Sequence, residues 1–205
     1  MMALSASGRA KLISQGAMGG SNSMNEIDQF GMQTVDAIRH LAEANCYVQA
    51  LVVLYSAIDT LAWADLRSGD VKRSDFCKWV DAYLRPQQMG CTSDDLYGAR
   101  CALVHSTAAE SSMSRKGLAR ELWYSTSPHS MTHLQSYAQQ VGARATVVYF
   151  TSLVAAFADG VEKFSQDLAS DPVREHACIQ RIRLWLRFLP AASLSGPSPQ
   201  AFPAV

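Results

Sequence analysis

The chain lacks an excess of either charge: 18 Lys and Arg stand against 18 Asp and Glu, for a formal net charge of +0. That excludes the uniformly basic surface on which strong non-specific nucleic-acid binding rests, while leaving room for a local basic cleft. No Cys-x-x-Cys pair occurs, and the five cysteines (Cys46, Cys77, Cys91, Cys101 and Cys178) are odd in number and irregularly spaced. Reduced, mostly buried thiols in a cytoplasmic protein are the expectation. The first 24 residues lack the apolar core of a signal peptide. No apolar run reaches membrane-spanning length, since even Tyr47 to Leu66 is interrupted by Gln49, Asp59 and Asp65. Internal repeats, a glycine-rich phosphate loop, a dinucleotide fingerprint and a nucleophile elbow are all missing.

What is present is a globular composition, 48% hydrophobic and 18% charged over 205 residues, enough for one domain with a buried core. Residues 1–24, rich in Gly, Ser and Met, read as a flexible leader, and residues 190–205, rich in Pro, Ser and Ala, as a disordered tail. The domain between them, 25–189, is mainly all-α by periodicity. Ile27, Phe30, Val35, Ile38 and Leu41 mark a first amphipathic helix. Tyr47, Leu51, Leu54, Tyr55, Ile58, Leu61 and Ala62 continue almost unbroken into a second, apolar on more than one face and therefore central. Ser74 or Asp75 caps a third helix that Pro86 stops, and Thr92, Ser93 or Asp94 caps a fourth. Leu153, Phe157, Val161, Phe164 and Leu168 line a long helix, and Asp171-Pro172 opens a last one. Between residues 106 and 144 the chain turns polar. Glu121–Ser125 and Thr146–Tyr149 are expected to form a two-stranded β-hairpin packed on the helices.

The chemistry concentrates in Asp95-Leu96-Tyr97-Gly98-Ala99-Arg100-Cys101-Ala102-Leu103-Val104-His105, where an arginine and a histidine with four residues between them fall in one helical run. Histidine titrates near neutral pH and moves protons either way. Arginine stays protonated and grips phosphate oxygens with its planar fork. The pair suits RNA cleavage by 2′-hydroxyl attack, which requires deprotonation of that hydroxyl, protonation of the 5′-oxygen and stabilisation of charge on phosphorus. Positions 100 and 105 are about 140° apart on an ideal helix, so they do not stack on one face. On the preceding helix, Tyr55-Ser56-Ala57-Ile58-Asp59-Thr60-Leu61-Ala62 carries one acid among small and aliphatic residues. A buried acid needs a partner, and Arg100 or a helix end would provide it.

These two stretches resemble the HEPN superfamily, and residues 96–105 are similar to its plasmid- and defence-associated members. The motif resemblance covers roughly residues 27–110, and the helix order extends it to about 170. It implies an up-and-down helical bundle with the β-hairpin inserted after the motif helix. It also implies a homodimer in which two motif copies line one cleft, and a metal-independent endoribonuclease, plausible as a toxin or defence effector with RNA as substrate and an antitoxin or other protein as partner. Catalysis would fall to Arg100, His105 and Asp59, and Tyr97 and Cys101 would contact substrate. No cofactor and no metal are implied. The alternative the resemblance allows is a catalytically inactive HEPN-fold module binding RNA, nucleotide or protein. Cys101 favours that alternative, because active members often carry Asn, Asp or His after the arginine, and a buried thiol is a poor donor.

Other candidates carry less. His129 and His133 have the spacing of a helical metal chelate, but no Glu follows His129 as in zinc proteases, and Pro128 with its polar surroundings suggests an exposed loop or short helix. Cys101 and His105 lack a supporting oxyanion site. Arg115, Lys116 and Arg120 lie near the motif, offset by Asp94, Asp95 and Glu110, and Arg181, Arg183 and Arg187 read as a solvated face or the flank of an RNA groove.

Overall fold

A computed structural model describes residues 25–66, 68–106 and 111–185, with the backbone alone at His105, Ser106 and Trp185. The leader and the tail therefore lie outside the described residues. Helix α1 (Glu26–Glu43) begins at Asn25, whose Oδ1 accepts hydrogen bonds from the Ile27 and Asp28 amides at 3.0 and 2.9 Å. The same side chain donates from Nδ2 to Ser165 Oγ at 2.9 Å and ties this cap to a distant helix.

Helix α2 (Tyr47–Ala64) is not a continuation of α1. The chain turns at Ala44–Cys46, with Asn45 at φ 60°, a left-handed conformation that asparagine tolerates better than most residues. The two helices pack on each other, so the apolar continuity between them marks a shared interface. Helix α2 is central as expected. Leu54, Tyr55, Ile58 and Leu61 are fully buried, and each buried aliphatic side chain of this size contributes roughly 1.5–3 kcal/mol. Around it pack α1, α3 (Arg73–Tyr83), α4 (Ser93–Ser106), α7 (Phe150–Ala169) and α8 (Pro172–Trp185). By length and composition α2 passes for a membrane span, contrary to the sequence expectation, but ten of its residues are buried against these helices.

Two caps resolve as the sequence suggested only in part. Asp75 is not the N-cap of α3; it sits in the first turn, where its Oδ2 accepts from the Lys72 amide at 2.9 Å. Thr92 caps α4 reciprocally: its Oγ1 accepts from the Asp95 amide at 3.1 Å, and Asp95 Oδ2 accepts from the Thr92 amide at 3.0 Å. Helix α7 buries the expected stripe of Leu153, Phe157, Val161, Phe164 and Leu168. It approaches α1 closely because Gly31 has no side chain; a Cβ there would lie 2.4 Å from Val161 Cγ1.

The expected hairpin is a different structure. Strands β1 (Glu121–Ser125) and β2 (Ala145–Tyr149) pair in parallel, in register from Glu121 opposite Ala145 to Ser125 opposite Tyr149. Parallel neighbours cannot be joined by a tight turn and need a crossover. Helix α6 (Pro128–Gln140) provides it, after the one-turn α5 (Ser112–Arg115) has led into β1. Ser127 caps α6 by accepting from the Ser130 amide, with Pro128 at the first helical position. The ribbon is sandwiched. Leu122, Tyr124 and Val148 belong to the face turned to the main core, and α6 packs on both strands. Tyr124 and Tyr55 share a buried 2.6 Å hydrogen bond between phenols, which ties β1 to α2.

Candidate functional site

The site forms where α4 lies against α2. Leu96, Ala99 and Ala102 bury one stripe of α4. That leaves positions 97, 100, 101 and 104, spaced i, i+3, i+4 and i+7, along a less buried stripe. Tyr97, Arg100 and Cys101 are half-buried there, and Val104 is exposed.

Arg100 and Asp59 meet across the helices. Arg100 Nε donates to Asp59 Oδ2 at 2.6 Å, with 21% of the arginine side chain and 18% of the aspartate side chain exposed. Burial by itself lowers the arginine pKa; the hydrogen bond and charge of Asp59 outweigh it and hold the guanidinium above its ordinary value. Asp59 is therefore a partly buried acid with a cationic partner. Fully buried neighbours Tyr55 and Ile58, one turn before it and beside it on α2, fix its backbone.

Tyr97 stands one turn before Cys101. Its ring meets Phe76 edge-on at 5.4 Å, and the Arg100 guanidinium carbon is 6.0 Å from its centroid. Burial pushes its phenol up, the neighbouring Cys101 sulfur raises it further, and Arg100 works in the opposite direction. Core packing anchors one side of Tyr97 and leaves its other side against the cation. Cys101 is close enough to Tyr97 and Arg100 to contribute to raising the pKa of both. His105 contributes backbone to the last turn of α4, one turn beyond Cys101; its side chain lies outside the described residues.

The structure thus brings together Asp59, Tyr97, Arg100 and Cys101. Arg120 is committed elsewhere: its backbone amide donates to Asp95 Oδ1 at 2.6 Å, Nε and Nη2 donate to Asp95 Oδ2 at 3.1 and 2.6 Å, and Nη2 also donates to the Gly90 carbonyl at 3.0 Å. Burial raises the Asp95 pKa, but these donors and those of Thr92 outweigh it and leave the carboxyl below its ordinary value. Sequence reasoning passed over this clamp, although Thr92-x-x-Asp95 carries the spacing of a reciprocal cap. Arg181 and Arg183 form no free basic face either. Arg181 donates to the Trp63 carbonyl at 2.7 Å, and Arg183 pairs with Glu26; Arg187 lies outside the described residues.

Two clefts open away from this stripe. One of about 840 Å³, between α2, α3 and α8, is lined by Asp65, Lys78, Trp79, Tyr83 and Arg174 among others; a smaller one of about 400 Å³ lies beside β2. Neither is lined by Asp59, Tyr97, Arg100 or Cys101, which lie half-buried outside both clefts. On α6, His129 and His133 bring their Nε2 atoms to 2.9 Å. No protein-family model, no curated protein and no solved structure matches the chain.

Proposed function

We propose that this chain is a HEPN-like, metal-independent endoribonuclease that cleaves RNA through 2′-hydroxyl attack. The observation that carries the reading is the Arg100–Asp59 pair: an obligate cation held at 2.6 Å by a carboxylate from another helix, still partly exposed, on the helix whose last turn includes His105. Asp59 orients the guanidinium. Arg100 binds the scissile phosphate and stabilises the charge that builds on it. His105 takes the 2′-hydroxyl proton or delivers one to the leaving oxygen. The 2′-oxygen bonds to phosphorus, the bond from phosphorus to the 5′-oxygen breaks, and the products are a 2′,3′-cyclic phosphate and a 5′-hydroxyl.

The stripe suits a homodimer in which two copies of α4 face one groove, so that one His105 serves as base and the other as acid. Exposed Val104 would lie within such an interface. Tyr97 and Cys101 would border the RNA, in a cytoplasmic toxin or defence effector restrained by an antitoxin or other protein. A second reading, a catalytically inactive HEPN-fold module for RNA, nucleotide or protein, is favoured by Cys101, a poor hydrogen-bond donor placed directly after Arg100 and half-buried beside it.

Labelled single-stranded RNA and transfer RNA incubated in EDTA with wild type, His105→Ala and Arg100→Ala separate the two. Cleavage leaving a 2′,3′-cyclic end, lost in folded variants, is the expected result. A folded wild type that binds RNA without cutting it selects the second reading.

A further inference from the structure

Helix α6 carries a feature that the ribonuclease reading does not use. His129 and His133, one turn apart on its exposed face, place their Nε2 atoms 2.9 Å from each other, with ring centroids 4.3 Å apart and planes at 79°. A straight N–H···N hydrogen bond of this length would put the centroids roughly 5.2 Å apart, since each centroid lies behind its own nitrogen. Two imidazoles aimed at one ion at a right angle, with metal–nitrogen bonds of about 2.0–2.1 Å, have nitrogens about 2.9 Å apart and centroids about 4.5 Å apart. The observed 2.9 Å separation is that of a bent N–H···N hydrogen bond between the two rings, and it is also the nitrogen–nitrogen distance of two imidazoles bound to one ion.

We propose that His129 and His133 chelate a divalent transition-metal ion of the copper or nickel kind through their Nε2 atoms. The divalent affinity order for nitrogen ligands rises through nickel and peaks at copper. Imidazole ligands disfavour magnesium and calcium, which take oxygen. Among the described residues no further His, Cys, Asp or Glu joins the pair to make a group of three. The ion's other positions are therefore open to water or to a ligand from outside. The positive end of the α6 dipole works against a cation near the first turn, but the effect is small beside two coordinate bonds. The crossover topology sets the site on the side of the ribbon away from α2, so its occupancy is separable from chemistry at Arg100.

The test is calorimetric titration of the full chain with Cu²⁺ and Ni²⁺, with Mg²⁺ as a control, followed by electron paramagnetic resonance of the Cu²⁺-loaded protein. One saturable Cu²⁺ per chain is expected, with nitrogen hyperfine structure from two imidazoles. His129→Gln and His133→Gln should each weaken binding by about a hundredfold, the advantage of tethering two ligands, whereas His40→Gln changes nothing. Both residues are exposed, and circular dichroism checks that the variants fold. Binding that survives either substitution, a spectrum dominated by thiolate ligation, or no saturable uptake by wild type overturns the proposal.

Discussion

Of the Asp–Arg pairs that involve helix α4, Asp95–Arg120 and Asp59–Arg100 differ in what surrounds them. Asp95 is almost wholly buried, 3% of its side chain exposed, and takes hydrogen bonds from the Thr92 amide and from the amide, Nε and Nη2 of Arg120. The Arg100–Asp59 pair, equally short at 2.6 Å, is about a fifth exposed on each side. Closing distance therefore does not separate the two pairs; the burial of the acid and the number of donors it satisfies do. The Asp95 clamp joins the start of α4 to the approach to β1 and engages Nε and Nη2 of Arg120 with Asp95 and the Gly90 carbonyl, although the arginine side chain is 37% exposed. The Arg100 pair lies along the half-buried stripe with Tyr97 and Cys101.

If that contrast is right, the largest effect comes from the open end of the helix. His105→Ala should lower RNA cleavage by about 10²–10⁴-fold, the usual worth of a positioned acid or base, and leave the urea midpoint nearly unchanged. Arg100→Ala should lower cleavage on a similar scale, with a modest stability loss because Asp59 keeps its partly buried charge. Cleavage assays run beside urea titrations of the same preparations measure the split. Equal losses of stability and activity in either variant would erase the distinction between the two pairs.

The closed pair gives the opposite pattern. Asp95→Ala takes the acceptor from the Thr92 and Arg120 amides and from two Arg120 guanidinium donors; a buried donor left unsatisfied costs about 1–3 kcal/mol, and the sum is a large part of a domain's roughly 5–15 kcal/mol. It should lower the urea midpoint sharply and reduce cleavage only by depleting folded protein. The pH dependence follows from the same hydrogen bonds. They hold the Asp95 carboxyl below its ordinary value, so the folded state binds its proton more weakly than the unfolded state does. The stabilisation is complete above the ordinary aspartate value of about 3.9 and is lost as pH falls from there through the folded value. Urea midpoints between pH 5 and 2.5 should fall steeply in wild type and less so in Asp95→Ala.

The same contrast shows what could be read from the chain alone. Helical periodicity locates α1, α2 and α7, since burying an apolar stripe is a local requirement written at every third or fourth residue. Asp59 and Arg100 stand out because a charge inside an apolar run demands a partner, and the chain offers few. Arg120 does not stand out, because nothing near it in sequence reveals that it will reach back 25 residues to Asp95. The ribbon shows the same limit. β-Branched and aromatic composition marks both strands, but pairing direction depends on what the intervening segment does, and Ser127-Pro128 opens a helix there. The break between α1 and α2 is signalled only by Asn45, a single turn-prone residue in the three, Ala44–Cys46, that reverse the chain between two apolar stripes.

A smaller effect tests whether Asp59 orients or only neutralises. Asp59→Asn keeps the shape and one acceptor oxygen but removes the charge that raises the Arg100 pKa. Because both side chains are partly exposed, the loss of stability should be about 1 kcal/mol. Cleavage should fall roughly tenfold through poorer placement of the guanidinium, seen as lower kcat with little change in KM. A variant with full activity would reduce Asp59 to a structural counter-ion.

The smallest expected effect belongs to a third pair on the same helix. Arg73 Nη2 lies 2.8 Å from Asp94 Oδ1, with 42% and 43% of the two side chains exposed. Exposed pairs of this kind contribute about 0–1 kcal/mol and fade in salt, so Arg73→Ala should barely move the urea midpoint, and 1 M NaCl should remove the remainder. Asp94 also accepts from the Cys77 thiol at 3.4 Å. Burial first, and then that hydrogen bond, push the thiol up to about 11, so it stays protonated with or without Arg73. The three pairs would then rank by burial: Asp95, Asp59, Asp94. A salt-resistant loss in Arg73→Ala comparable to that of Asp95→Ala would mean that the adjacent carboxylates Asp94 and Asp95 act as one unit at the start of α4, and that exposure does not decide which pair holds the fold.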